Sequence, residues 1–168
     1  MDRMIYGANW YVDTINQRLR LAAVQLPELS RAKETIVTGG GWFAFENPGE
    51  IEGLEARFTL NGAHEDVRSL FGREPGDWTT FYYYERLRDI TKGVNRGRVV
   101  IMKGLVGTVR QPQIRGKRGG ETEYSVSSMW QYQDIVDGKV IHRFDVEANT
   151  LIMNGVDYTQ EHNRLTAA

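Results

Sequence analysis

Several residue types that could do chemistry are present in this chain, but their spacing does not assemble a catalytic centre. The three histidines, His64, His142 and His162, show no H-x-x-x-H spacing and no acidic partner arranged as a metal site requires. Cysteine is absent. Thiol nucleophiles, disulfide frameworks and Cys-ligated zinc or iron–sulfur clusters are thereby excluded, and a reducing compartment is permitted. There is no phosphate-binding G-x-x-x-x-G-K-[ST], no G-x-G-x-x-G and no G-x-S-x-G elbow. Gly39-Gly40-Gly41 could cradle an anion, but it is not placed between a strand and a helix, so it reads as a turn. Glu50 and Glu52 form an acid pair of the kind glycosidases use, a role that depends on a separation in space which spacing along the chain does not supply. The expectation is a protein that is not an enzyme, with no catalytic residue, no metal and no cofactor.

Binding chemistry is better represented. The stretch Gln111–Gly120 (QPQIRGKRGG) reads as a flexible loop carrying Arg115, Lys117 and Arg118. Such a loop could follow a phosphate backbone, yet no aromatic platform lies inside it and Glu121 and Glu123 follow at once. A solvated loop, or one that docks on an acidic neighbour, is the preferred reading. Trp42, Trp78 and Tyr82 could offer a sugar-stacking platform, although aromatics at strand spacing more often serve cores and interfaces. Globally, 21 basic side chains balance 22 acidic ones for a net charge of −1. That balance lacks the positive excess by which a dedicated nucleic-acid binder neutralises phosphates.

These residues must be positioned by mostly β structure. The 168 residues are expected to form a single domain, with enough chain to bury a core without a disulfide or metal staple. No apolar run reaches the length of a signal-peptide core or a bilayer span, so a soluble product is expected. From Leu54 to Leu60 the alternation is strict: Leu54, Ala56, Phe58 and Leu60 share one face, and Glu55, Arg57 and Thr59 the other. A helix over about 62–72 is expected next, capped by Asn61, with Ala63, Val67, Leu70 and Phe71 on its buried stripe and Gly72 in the left-handed closing position. Trp78–Arg86 is so aromatic that it must be a central strand or an interface strand. Arg98–Val109 reads as a long strand in which Gly104 and Gly107 suggest a bulge or bend.

The clearest hairpin runs from Glu123 to Glu147 around Asp137-Gly138. A two-residue turn mixes both faces, so a three-residue loop with Gly138 left-handed is preferred, placing Trp130 opposite Phe144 and Tyr132 opposite His142. The other face then carries Glu123, Ser125, Ser127, Gln131 and Gln133 with Arg143, Asp145 and Glu147. Its side chains, mostly small or uncharged with Ser and Gln predominating, suit either an ordinary solvated face or the wall of a water-filled passage.

Gly53-Leu54-Glu55-Ala56-Arg57-Phe58 running into Asn61-Gly62-Ala63, the Asp137-Gly138 hairpin, and Met153-Asn154-Gly155-Val156-Asp157 followed by Asn163-Arg164-Leu165 resemble the major tail tube protein of contractile-tailed phages. Within that family the P2-like tubes and R-type pyocin tubes are the most similar. The match runs from about residue 50 onward. Before it, the strand around Asn9 to Asp13 and the segment with Leu26-Pro27-Glu28-Leu29 agree by pattern only.

The resemblance implies a mainly β subunit of two packed antiparallel sheets, a β-sandwich or partial barrel, with one short flanking α-helix. Six subunits would form a ring, with a continuous inner β-barrel, and rings would stack into a hollow tube conducting DNA. Implied partners are further copies of the chain, a surrounding sheath protein, baseplate and tail terminator proteins, and passing DNA held without sequence preference. The implied location is the virion tail, assembled in the host cytoplasm, without membrane insertion by the monomer. A headless pyocin-like particle or a secretion-system tube remains open, as does a monomeric carbohydrate-binding β-sandwich. Glu55, Arg57, Thr59, Ser125, Ser127, Gln131 and Gln133 are expected to face the lumen. Contacts within and between rings are expected from Gly40 and Trp42 in a long loop over about 26–48, from Arg115, Lys117 and Arg118 in a second loop over about 110–120, and from Trp78 and Tyr82.

Overall fold

The computed structural model describes residues 2–117 and 119–168. Strands dominate, as the period-two patterning requires. In chain order they are β1 (Arg3–Val12), β2 (Ile15–Asn16), β3 (Leu21–Gln25), β4 (Arg31–Val37), β5 (Ala44–Ile51), β6 (Ala56–Asn61), β7 (Thr79–Asp89), β8 (Asn95–Arg110), β9 (Glu121–Val136), β10 (Lys139–Asp145), β11 (Thr150–Met153) and β12 (Val156–Asp157). Two short helices, α1 (Glu65–Arg68) and α2 (Gln160–Thr166), complete the described elements.

Among the described residues there are two antiparallel sheets. The larger has ten strands in the path β12-β11-β10-β9-β8-β7-β1-β2, with β6 and then β3 branching from β9; the smaller is the β4–β5 pair. The branch exists because β9 is long enough to serve two layers. Its first half pairs with β6, its second half with β10, and β8 runs along its other side throughout. The larger sheet therefore folds over on itself. Phe58 on β6 and Phe81 on β7 have ring centroids 5.9 Å apart, whereas three strand spacings along a flat sheet would separate them by about 14 Å. Trp10 meets Phe58 at 4.9 Å and Tyr124 stacks on Phe58 at 4.9 Å, so four aromatic rings from both layers fill the centre. Each buries on the order of 150–250 Å² and they dominate the apolar stabilisation of the core.

Glycines set the fold-over. The register of β8 against β9 shifts between Lys103 and Leu105 and again between Val106 and Thr108, on either side of Gly104 and Gly107. A Cβ on Gly104 would lie 2.8 Å from the Ser127 carbonyl oxygen. Only glycine lets the two backbones approach this closely. Each bulge also resets which residues point inward, so that Val106 is buried and Val109, three residues on, packs against the same core.

The structure changes four local expectations. The helix over 62–72 contracts to α1, capped at His64, because Asn61 is held in the β6 ladder opposite Glu121 and Gly62 turns the chain with φ +85°. After Ser69 the bonds tighten to i−3, Leu70 to Val67 and Phe71 to Arg68. Val67 and Leu70 are buried, but Ala63 and Phe71 are exposed. Gly72 does adopt positive φ, at +88°. A second helix, α2, lies at the end of the chain without a buried residue. Finally, the segment 26–48 is not a loop but contributes most of the β4–β5 hairpin.

The Glu123–Glu147 hairpin also differs in register. Val136 pairs with Lys139 and both Asp137 (φ +49°) and Gly138 (φ +78°) are left-handed, so the turn is the two-residue primed type. A bulge between Val140 and His142 then slides the pairing, placing Phe144 opposite Tyr132 and Gln131 opposite Asp145. Trp130 is bonded through its carbonyl to the Val146 amide, not paired with Phe144. The inward and outward sets of β9 survive because the bulge restores the parity that the shorter turn removes.

Candidate functional site

The polar face expected from sequence is built on the outside of the folded sheet. On β3, β6, β9 and β8 the pairing aligns Gln25, Arg57, Ser125 and Thr108 in one row, and Ala23, Thr59, Glu123 and Arg110 in the next. Arg57 Nε donates to Glu55 Oε1 at 3.3 Å, which neutralises that arginine locally. Farther along β9, Gln133 lies between Ile101 and Arg143, and Gln131 between Lys103 and Asp145. Arg143 reaches Asp145 at 3.5 Å and Gln131 Nε2 donates to the same carboxylate at 3.4 Å. Glu55, Arg57, Thr59, Ser125 and Ser127 thus form one patch and Gln131 with Gln133 a second, separated by the irregularity around Ser128 (φ +52°). Ser125 is nearly covered by its neighbours.

Gly40 and Trp42 sit at the tip of the β4–β5 arm. Thr38 closes the tip by accepting from Gly41 N–H, and Trp42 and Phe43 are 95% and 88% exposed. Arg115 and Lys117 are exposed on the irregular segment after β8, while Arg118 lies outside the described residues. Trp78 precedes β7 and stacks on Trp130 at 5.2 Å. Tyr82 is half-buried on the outer face of β7, beside Tyr84, which in turn meets Tyr11 edge-on at 5.5 Å. Strand β7 is central, between β1 and β8.

One buried polar cluster escaped the sequence reading. Arg98 donates to both oxygens of Asp134, at 3.0 and 2.8 Å, and lies 3.7 Å from Glu85, which accepts at 2.6 Å from the Tyr83 hydroxyl. Burial, reinforced by Glu85, pushes the Tyr83 phenol above its usual range; burial also pushes Tyr132 up to about 12. The Asp134 hydrogen bonds hold Arg98 more firmly protonated. A signal was available: Glu85 continues the inward alternation of Phe81 and Tyr83, so a carboxylate on that face needed a buried partner. The cluster braces β7, β8 and β9.

A family model for the phage tail tube protein FII matches residues 2–165. The chain belongs to this family. It is a structural tube protein of a phage tail or tail-like particle. No curated protein matches it. Among solved structures, the tube protein is similar to a chain of the sheath-tube complex of an extracellular contractile injection system, PVC, in the extended state, with a TM-score of 0.58 at 10% identity, covering 77% of this chain and 88% of that one. A chain of the sheath/tube terminator of the same system, also extended, gives 0.56 at 12% identity, covering 78% and 93%. At such identities the likeness is one of fold.

Proposed function

We propose that this tube protein polymerises as hexameric rings stacked helically into the hollow inner tube of a contractile tail, and that the tube is the conduit for DNA delivered into the host. The family match over almost the whole chain carries this reading. The role is mechanical, without a catalytic step. A sheath protein would surround the tube, and terminator and baseplate proteins would cap its ends; the extended sheath-tube and terminator complexes that share the fold support the first two. Assembly would take place in the host cytoplasm.

In this reading Glu55, Arg57, Thr59, Ser125, Ser127, Gln131 and Gln133 line the bore. Their support is chemical. A polyanion passes most readily along a wall that does not pair with its phosphates, and two of the arginines on this face are held by carboxylates, Arg57 by Glu55 and Arg143 by Asp145. Gly40, Trp42, Trp78, Tyr82 and the Arg115–Lys117–Arg118 loop would supply contacts within and between rings. The PVC likeness is equally consistent with one variant, a headless injection particle with the same tube but no DNA; capsid and terminase genes beside the coding sequence would decide against it.

Negative-stain microscopy with light scattering tests the core of the proposal. Rings or hollow tubes are expected from purified protein, and a persistent 19.2 kDa monomer would overturn it. A map of the tube should show the seven polar side chains in the bore; finding them packed against a neighbouring subunit would reassign that face.

A further inference from the structure

The longest run without a charged residue is Thr35–Phe45, and it forms the outer part of the β4–β5 arm. Here Trp42, Phe43, Phe45, Val37 and Ile36 are all exposed. A two-stranded hairpin is marginal alone in water, and an apolar one invites uncontrolled pairing unless something covers it. Three aromatics of about 150–250 Å² each, exposed to 95%, 88% and 60%, offer roughly 400–600 Å² of apolar surface, a large part of the ~800 Å² per partner that a stable interface needs.

A receptor of matching chemistry lies at the base of the same arm. Ile51 and Leu54 form one wall of an apolar cleft of about 410 Å³, and Met129, Trp130, Phe144 and Val146 form much of the rest. Glu50 and Glu52 mark its rim. The arm cannot fill its own cleft. Strand β5 alone spans eight residues from Ala44 to Ile51, which at about 3.4 Å per residue holds the tip some 23 Å away while the hairpin stays paired.

We propose that the aromatic tip of one copy, Trp42 and Phe43, inserts into the Met129–Trp130–Phe144–Val146 cleft of a second copy. The contact is heterologous: each copy presents one tip and one cleft, so the interaction propagates from subunit to subunit and does not stop at a dimer. It rests on the tube reading above and names the surface that the arm meets.

The absence of cysteine provides a clean test. Gly40→Cys places a thiol at the tip, where an added Cβ meets nothing within 4 Å, and Val146→Cys places one in the cleft. Tubes of the double variant, treated with a short bismaleimide, are expected to give a ladder of covalent multimers on a denaturing gel. Tubes that give no ladder, or in which the Gly40→Cys chain cross-links only to itself, overturn the docking while leaving the tube reading intact. Wild-type protein that stays monomeric overturns the tube reading itself. Should the double variant not assemble, the two single variants diluted into wild-type tubes are expected to give one covalent dimer, and its absence from intact tubes is equally decisive. Trp42→Ser with Phe43→Ser should abolish tubes while the thermal midpoint of the subunit is unchanged; unimpaired tubes would count against the proposal.

Discussion

Arg98 shows how one side chain can hold three strands. It sits between two carboxylates that are almost completely buried, Glu85 on β7 and Asp134 on β9. Removing a partner from a buried ion pair leaves charge that neither water nor protein compensates, at a cost of about 3–5 kcal/mol. Arg98→Met is therefore expected to lower subunit stability by roughly 3 kcal/mol, near the bottom of that range because the arginine itself is partly exposed, as read from urea denaturation at neutral pH. Tyr132 provides a second test, in pH. Its phenol titrates near 10 when unfolded and at about 12 in the fold because of burial. A raised folded value means full stability below pH 10 and a loss as pH climbs from 10 through about 12, amounting to roughly 2–3 kcal/mol. The urea midpoint should fall between about pH 9 and about pH 11, and less steeply in Tyr132→Phe. Tyr83, shifted in the same direction, leaves part of the slope in that variant.

Among elements, the β8–β9 pair decides the architecture. Gly104→Ala would press a methyl into the Ser127 carbonyl, and because that atom is backbone the strands must separate. A loss of roughly 1–3 kcal/mol is expected in the denaturation midpoint. Gly107→Ala instead meets the Ser127 hydroxyl at its Oγ. That group can rotate away, so a smaller loss is expected, and adding Ser127→Ala should recover most of it. The β6 alternation was legible because one face is core and the other water, which writes the period into neighbouring residues. The β4–β5 arm was not legible for the opposite reason: both its faces are largely exposed in the subunit, so neither face is marked by alternation. Helix α2 likewise lacks an apolar stripe. It is fixed by polar contacts, Asp157 accepting from the amides of Thr159 and Gln160, and Asn163 exchanging hydrogen bonds with Asn149.

For the whole molecule the question is what happens when copies meet. If the loop after β8 docks on carboxylates of an adjacent subunit, Arg115→Glu with Lys117→Glu should prevent polymerisation while circular dichroism stays that of the folded subunit; unchanged tubes would remove the loop from the interface. Raising ionic strength should weaken the same contact. Replacing residues 35–45 by a two-residue turn should give rings or monomers instead of long tubes by negative-stain microscopy. The two variants separate charge from apolar burial as sources of assembly.

Sequence by itself determined the fold class, the inward and outward sets of β6 and β9, the glycine positions where β8 bends, and the family resemblance, because each is written in spacing over a few residues. Only the tertiary structure decided the rest. The hairpin register depended on a bulge that hydrophobic pattern does not mark, since sliding by two residues leaves every side chain on the same face. Arg98 found Asp134, and the cleft at the arm's base took shape, only when strands distant along the chain were brought side by side. The arm's aromatics lacked a partner within the subunit, and the physical reason is geometric: a paired hairpin of that length cannot reach back to its own base.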